Sequence, residues 1–246
     1  MEITLILVGI LVGTLSGFFG IGGGMILVPI LMLLGIDIKT AIGISIVQMV
    51  FSSFYGSYLN HKKGSLIIGE GIWVGVGGFV GGGIGALVSS SLSSEFLEYL
   101  FFGLLIFALY RLFSSKHSED AVVKTLNPSV LFIVGLFIGI FAISLGVGGS
   151  ILLTPILVGF LHYPIKKAVS AGLFFVAFSS VAGFFMKFST GALDLEKSLY
   201  VAVASLIGVY GGIWLKDHVS ASNHKLYLLI MYSVAMLILM KKIFLG

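Results

Sequence analysis

No charged residue stands between Glu2 and Asp37, and this gap constrains the fold more than any other feature of the chain. A straight helix over residues 3–36 would be about 50 Å long at 1.5 Å per residue. The hydrocarbon core of a bilayer is only ~30 Å thick. One straight crossing is therefore too short to use the run, while residues 3–18 and 25–35 are each short for a crossing of their own. The break belongs at Gly20-Ile21-Gly22-Gly23-Gly24, because glycine weakens a helix interior more than any residue but proline. The expected result is a re-entrant hairpin or a sharply kinked helix. Non-helical backbone at that depth survives only where protein buries it or a polar cavity meets it.

The same device recurs. Gly20 to Gly24 leads to Pro29, and Gly146-Val147-Gly148-Gly149-Ser150 leads to Pro155. From that anchor the chain repeats with a shift of 126, then 127. Lys39 falls on Lys166, Ala41 on Ala168, and Phe51-Ser52-Ser53 on Phe178-Ser179-Ser180. Gly56, Gly64, Gly81 and Gly85 fall on Gly183, Gly191, Gly208 and Gly212. Residues 1–113 form a first transmembrane repeat and 128–246 a second. The polar stretch 114–127 links them. Repeats of this kind place a transport site at their interface, near the bilayer midplane.

Composition supports the membrane reading. The chain is 58% hydrophobic and 10% charged, with mean hydropathy +1.17, and a soluble domain of that make-up would expose a continuous apolar surface. The apolar runs are unbroken, unlike the short alternating segments of a barrel. The fold class is thus an all-α polytopic membrane protein of two homologous repeats. Each repeat holds a glycine-broken helix element plus three transmembrane helices. The net charge of +4 resides in short loops, as orientation by the positive-inside rule requires, and nucleic acid is not an expected partner. The basic residues divide nine to five whether the repeats are inverted or parallel. The inverted arrangement is preferred because neither piece of the glycine element spans alone.

Chemistry is legible in two places. A helix beginning at membrane depth aims unpaired amides and the positive end of its dipole at what lies in front of it, which suits an anion. That makes Gly20, Gly22, Gly23, Gly24, Gly146, Gly148, Gly149 and Ser150 candidates for substrate binding. On the next helix Ser45, Gln48 and Ser52 share one face. Ser179 recurs at the place of Ser52, but Phe175 replaces Gln48. A mid-helix glutamine either bonds a neighbouring helix or touches substrate. The glycines at 75–85 read as packing residues. Glu70 and Lys187 read as interfacial, Lys187 by snorkelling. The five histidines fall in loops or helix ends without metal-ligand spacing, and there is no cysteine. No catalytic residue, metal or cofactor is expected.

The stretch Gly13-Thr14-Leu15-Ser16-Gly17-Phe18-Phe19-Gly20-Ile21-Gly22-Gly23-Gly24, closed by Pro29, resembles the N-terminal signature of the TauE/SafE family of membrane transporters. Gly146 to Pro155, followed by Lys166-Lys167-Ala168 and Ser179-Ser180, is similar to that family's repeat. The resemblance covers essentially the whole chain and implies export or uptake of small sulfur-containing anions such as sulfite, thiosulfate or organosulfonates. The second copy departs from the first at Ser150 and at Ile143, which replaces Gly17.

The expected function is secondary transport of such an anion across a bacterial inner membrane, in a multi-pass protein. A proton or sodium ion is the candidate for coupling. An anion channel would use the same donors without alternating access, and a membrane scaffold would use none of them.

Overall fold

The computed structural model describes residues 2–66, 71–114, 127–159 and 165–245. Glu70, His117, His162 and most of the polar linker lie outside them. Among the described residues the chain forms ten α-helices and no strand. They are α1 (Glu2–Phe19), α2 (Gly24–Leu33), α3 (Ile38–Lys62), α4 (Gly71–Ser91) and α5 (Ser94–Ser114), then α6 (Pro128–Ser144), α7 (Ser150–Gly159), α8 (Ile165–Ser189), α9 (Leu195–His218) and α10 (Ala221–Leu245). Helices α1, α3, α4, α8, α9 and α10 are long and apolar enough to cross a membrane. The 10-residue α2 and α7 are about 15 Å long and cannot. The apolar run therefore does break at the glycines, into a long and a short helix.

The break has a backbone cause. Gly20, Gly22 and Gly23 take φ of 72°, 73° and 91°, and Gly146 and Gly148 take 64° and 70°. L-residues with a side chain rarely occupy that region. The amide of Gly20 bonds back to the Ser16 carbonyl at 2.8 Å and closes α1. Helix α2 then starts at Gly23 with no side-chain cap.

Packing follows matched pairs. Helix α1 lies against α9 and α6 against α4; α3 lies against α9 and α8 against α4; α2 meets α10 and α7 meets α5. Glycine makes the first two contacts possible. A Cβ on Gly9, Gly13 or Gly17 would lie 2.1–2.6 Å from the carbonyl oxygen of Val201, Ser205 or Val209. A Cβ on Gly77, Gly81 or Gly85 would lie 2.1–2.4 Å from that of Phe132, Leu136 or Ile140. In lipid no hydrophobic force separates helix from solvent, so dispersion and Cα–H···O contacts at close approach carry the association.

These registers set direction. Both partners count upward together in α1–α9 and in α4–α6, so each pair runs the same way. Gly71 and Gly75 face Phe174 and Phe178, so α4 and α8 also run the same way. Gly43 lies against Ala192 just before α9 and Gly56 against Ile213 near its end, which aligns α3 with α9. Gly56 meets Leu173 while Gly183 meets Ile46, so α3 and α8 cross antiparallel at the centre.

Valine at Gly81 is expected to drive α4 off α6 and remove most of the monodisperse peak in size-exclusion chromatography. Valine at Gly103, which has no neighbour within 4 Å of a built Cβ, is expected to leave that peak intact.

Candidate functional site

The two glycine elements meet between α3 and α8. A Cβ on Gly22 or on Gly148 would touch the same two side chains, Met49 and Val176, which sit near the middle of their helices. The elements also touch each other. A Cβ on Gly24 would lie 1.9 Å from the Gly146 carbonyl oxygen, and one on Gly148 would lie 2.8 Å from that of Ile21.

One face of α3 binds both elements, as its spacing suggests. Ser45 Oγ donates to the Gly146 carbonyl at 2.6 Å. Ser52 Oγ donates to the Gly22 carbonyl at 3.2 Å. Between them Gln48 is fully buried, and neither Nε2 nor Oε1 has a hydrogen-bond partner. A Cβ on Gly23 would lie 2.9 Å from its Oε1 and 3.1 Å from its Nε2, so the amide sits against the start of α2. The interhelical bond that a mid-helix glutamine could make is not made. An unpartnered buried amide costs about 1–3 kcal/mol, and such a group calls for an explanation.

The second half is less polar. Phe175 replaces Gln48, and its ring closes over Gly149, where a Cβ would be 1.9 Å from Cε1. Gly172 takes the place of Ser45 and packs on Ser150, whose hydroxyl is buried and unpartnered. Serine and glycine have thus exchanged places across the two interfaces. Ser179 does not reach Gly148; its hydroxyl bonds the Phe175 carbonyl of its own helix at 3.2 Å. Thr154, one turn into α7, is buried with a free hydroxyl and was not singled out from the sequence, where one threonine in an apolar run carries no signal. All twelve candidate residues are buried, so in this conformation the site is closed to solvent.

At one mouth of the helix bundle a cleft of about 570 Å³ is lined by Lys39, Thr40, Ser90, Lys187, Asp194, Lys197 and the 191–193 turn. Asp194 caps α9 and is ion-paired to Lys197 at 2.6 Å. The hydrogen bond from that ammonium holds its carboxyl below the usual range. Lys187 does not snorkel. It is 2% exposed and donates to Ser90 Oγ at 3.0 Å, because the end of α4 covers the end of α8. At the opposite mouth Lys216, 1% exposed, donates to Asn60 Oδ1 at 2.6 Å and to Ser170 Oγ at 3.2 Å. Nearby, Lys63 and Asp217 form an exposed ion pair. His224 is buried at the start of α10 and stacks on Phe18. Among the described residues the buried ionisable groups include these two lysines and no carboxylate.

Long apolar helices, two broken helices meeting at mid-depth and a buried polar face between them define a multi-pass helical membrane transporter. The family described as "Sulfite exporter TauE/SafE" matches residues 5–239. The chain belongs to that family. It is 29% identical to a probable membrane transporter protein, YdhB, of Bacillus subtilis, covering 85% of this chain and 87% of that one. It is 27% identical to probable membrane transporter proteins of Haemophilus influenzae (88% and 86% covered) and Methanocaldococcus jannaschii (91% and 90%). No solved structure matches the chain.

Proposed function

We propose that this protein is a secondary transporter of small sulfur-containing oxyanions or organosulfonates, bound where the glycine elements meet the polar face of α3. The observation that carries the reading is the Gln48 amide, fully buried and unpartnered beside the uncapped start of α2. Its NH₂ group, the first amides of α2 and α7 and the Ser150 hydroxyl are all donors, and donors suit an anion. The buried charges nearest the two mouths, Lys187 and Lys216, are both cationic, which disfavours a cation as cargo. The sulfur chemistry comes from the family description.

Repeat-equivalent helices point in opposite directions: α1 and α6, α3 and α8, α4 and α9. This supports reading the halves as inverted repeats, which rock about a shared central site in alternating access. The full burial of the site favours an occluding carrier over an open pore. A proton or sodium gradient is the coupling we favour, without a buried carboxylate to carry the proton.

The test is labelled sulfite uptake into proteoliposomes, with and without a proton gradient, beside Gly23→Leu. The expected result is saturable uptake in the parent protein, lost in a variant that still elutes as a single peak. Silence toward sulfite, thiosulfate and isethionate alike would remove the sulfur-anion assignment. A high unitary conductance would replace the carrier by a channel.

A further inference from the structure

The Lys39–Lys187 cleft is built like a binding site in its own right. Two ammonium groups converge on one serine: Lys187 Nζ donates to Ser90 Oγ at 3.0 Å and Lys39 Nζ to the Ser90 carbonyl at 3.4 Å. Among the described residues neither has a carboxylate within ion-pair distance, and Asp194 is already committed to Lys197. Two like charges held together beside low-dielectric walls repel unless an anion joins them. One of the two is 2% exposed, so water screens it poorly. The cleft's volume of about 570 Å³ lies in the range of small-molecule sites, roughly 300–1,000 Å³.

The cleft also lies close to the centre. Thr40 lines it, and Ser45, which holds Gly146, is five residues further along α3, about 7.5 Å. Between them Ile42 touches Gly146, and Gly43 packs on the carbonyl of Ala192, which lines the cleft. At the other mouth Asn60 occupies the repeat position of Lys187, and the buried ammonium comes instead from Lys216 on the neighbouring helix. Both mouths thus carry a buried cation, contributed from opposite partners.

We propose that the cleft is a second anion site, an antechamber that takes a small sulfonate or related oxyanion on Lys187, Lys39 and the Thr40 hydroxyl before it reaches the glycine elements. The inference rests on the transport reading for the identity of its anion but not for the existence of the site. A lipid phosphate offers the same oxygens, so the test separates the two sources.

The natural absence of cysteine makes the test direct. Thr40→Cys protein in lipid-free detergent is labelled with an anionic (sulfonatoethyl) and a cationic (trimethylammonioethyl) methanethiosulfonate. The anionic reagent is expected to react at least ~10-fold faster than the cationic one, as a positive cleft steers it. Sodium isethionate is expected to slow labelling more than sodium chloride of equal ionic strength. Lys39→Gln and Lys187→Gln, each added to Thr40→Cys, are expected to erase the preference; Lys39 is half-buried, so its variant remains informative should Lys187→Gln fail to fold. Equal rates for both reagents, or no protection by isethionate, overturn the proposal. Protection by phosphatidylglycerol but not by isethionate also overturns it, assigning the cleft to a lipid headgroup. Isethionate protection in a protein that transports no sulfur anion would leave the antechamber standing and sink the transport reading. Lost protection with intact uptake would do the reverse.

Discussion

Gly24→Ser is expected to abolish transport, and adding Ser45→Gly is expected to restore a large part of it. A Cβ on Gly24 would meet the Gly146 carbonyl oxygen at 1.9 Å and Ser45 Oγ at 2.4 Å. The oxygen is held in place by Ser45 itself, so the single variant has no room to relax. Overpacking of this kind costs about 1–3 kcal/mol, sometimes more, and here it pushes apart the two elements that form the site. The second half already contains the exchanged arrangement, Ser150 against Gly172. Removing the Ser45 side chain opens the same space and frees the Gly146 carbonyl to move. Uptake and the thermal midpoint in detergent are the readouts. A double variant no better than Gly24→Ser would show that the two interfaces are not complementary in this way.

The second large effect is Gln48→Leu, where stability and transport are expected to move in opposite directions. Leucine has about the volume of glutamine and no polar atom, and volume-conserving swaps are tolerated. It removes a buried amide whose two polar atoms lack partners, which in itself costs the fold about 1–3 kcal/mol. The melting midpoint is therefore expected to hold or rise. Hydrogen bonds to a charged ligand are worth about 1.5–3 kcal/mol, so uptake at low substrate is expected to fall roughly 10- to 100-fold. A structural glutamine would behave the other way, losing stability first. Unimpaired uptake in Gln48→Leu would remove the amide from the binding site.

Much of this molecule is visible in its residues, and the reasons are specific. The glycine–proline elements could be read because a charge-free run too long for one crossing must break, and glycine marks where. The α3 face could be read because helical periodicity alone places Ser45, Gln48 and Ser52 on one side. Lys187 misleads for an equally physical reason. A lysine at a helix end snorkels when lipid surrounds it, and only the tertiary contact with α4 shows that Ser90 covers it instead. Ser179 looks equivalent to Ser52 in the repeat, yet its hydroxyl turns to its own helix. Gly172 carries no signal until Ser150 is seen packed on it.

Local chemistry and periodicity thus determine, without coordinates, that the chain crosses a membrane as helices and where its helices break. Those properties depend on hydropathy and backbone cost, which act residue by residue. The tertiary structure alone decided which partners the polar groups find. Whether Gln48 is satisfied, which lysines are buried and which way each helix runs against its neighbours depend on contacts between residues far apart in the chain. No local property of the chain encodes those contacts, and the pairing of α1 with α9 and of α4 with α6 depends further on the close approach that glycine permits.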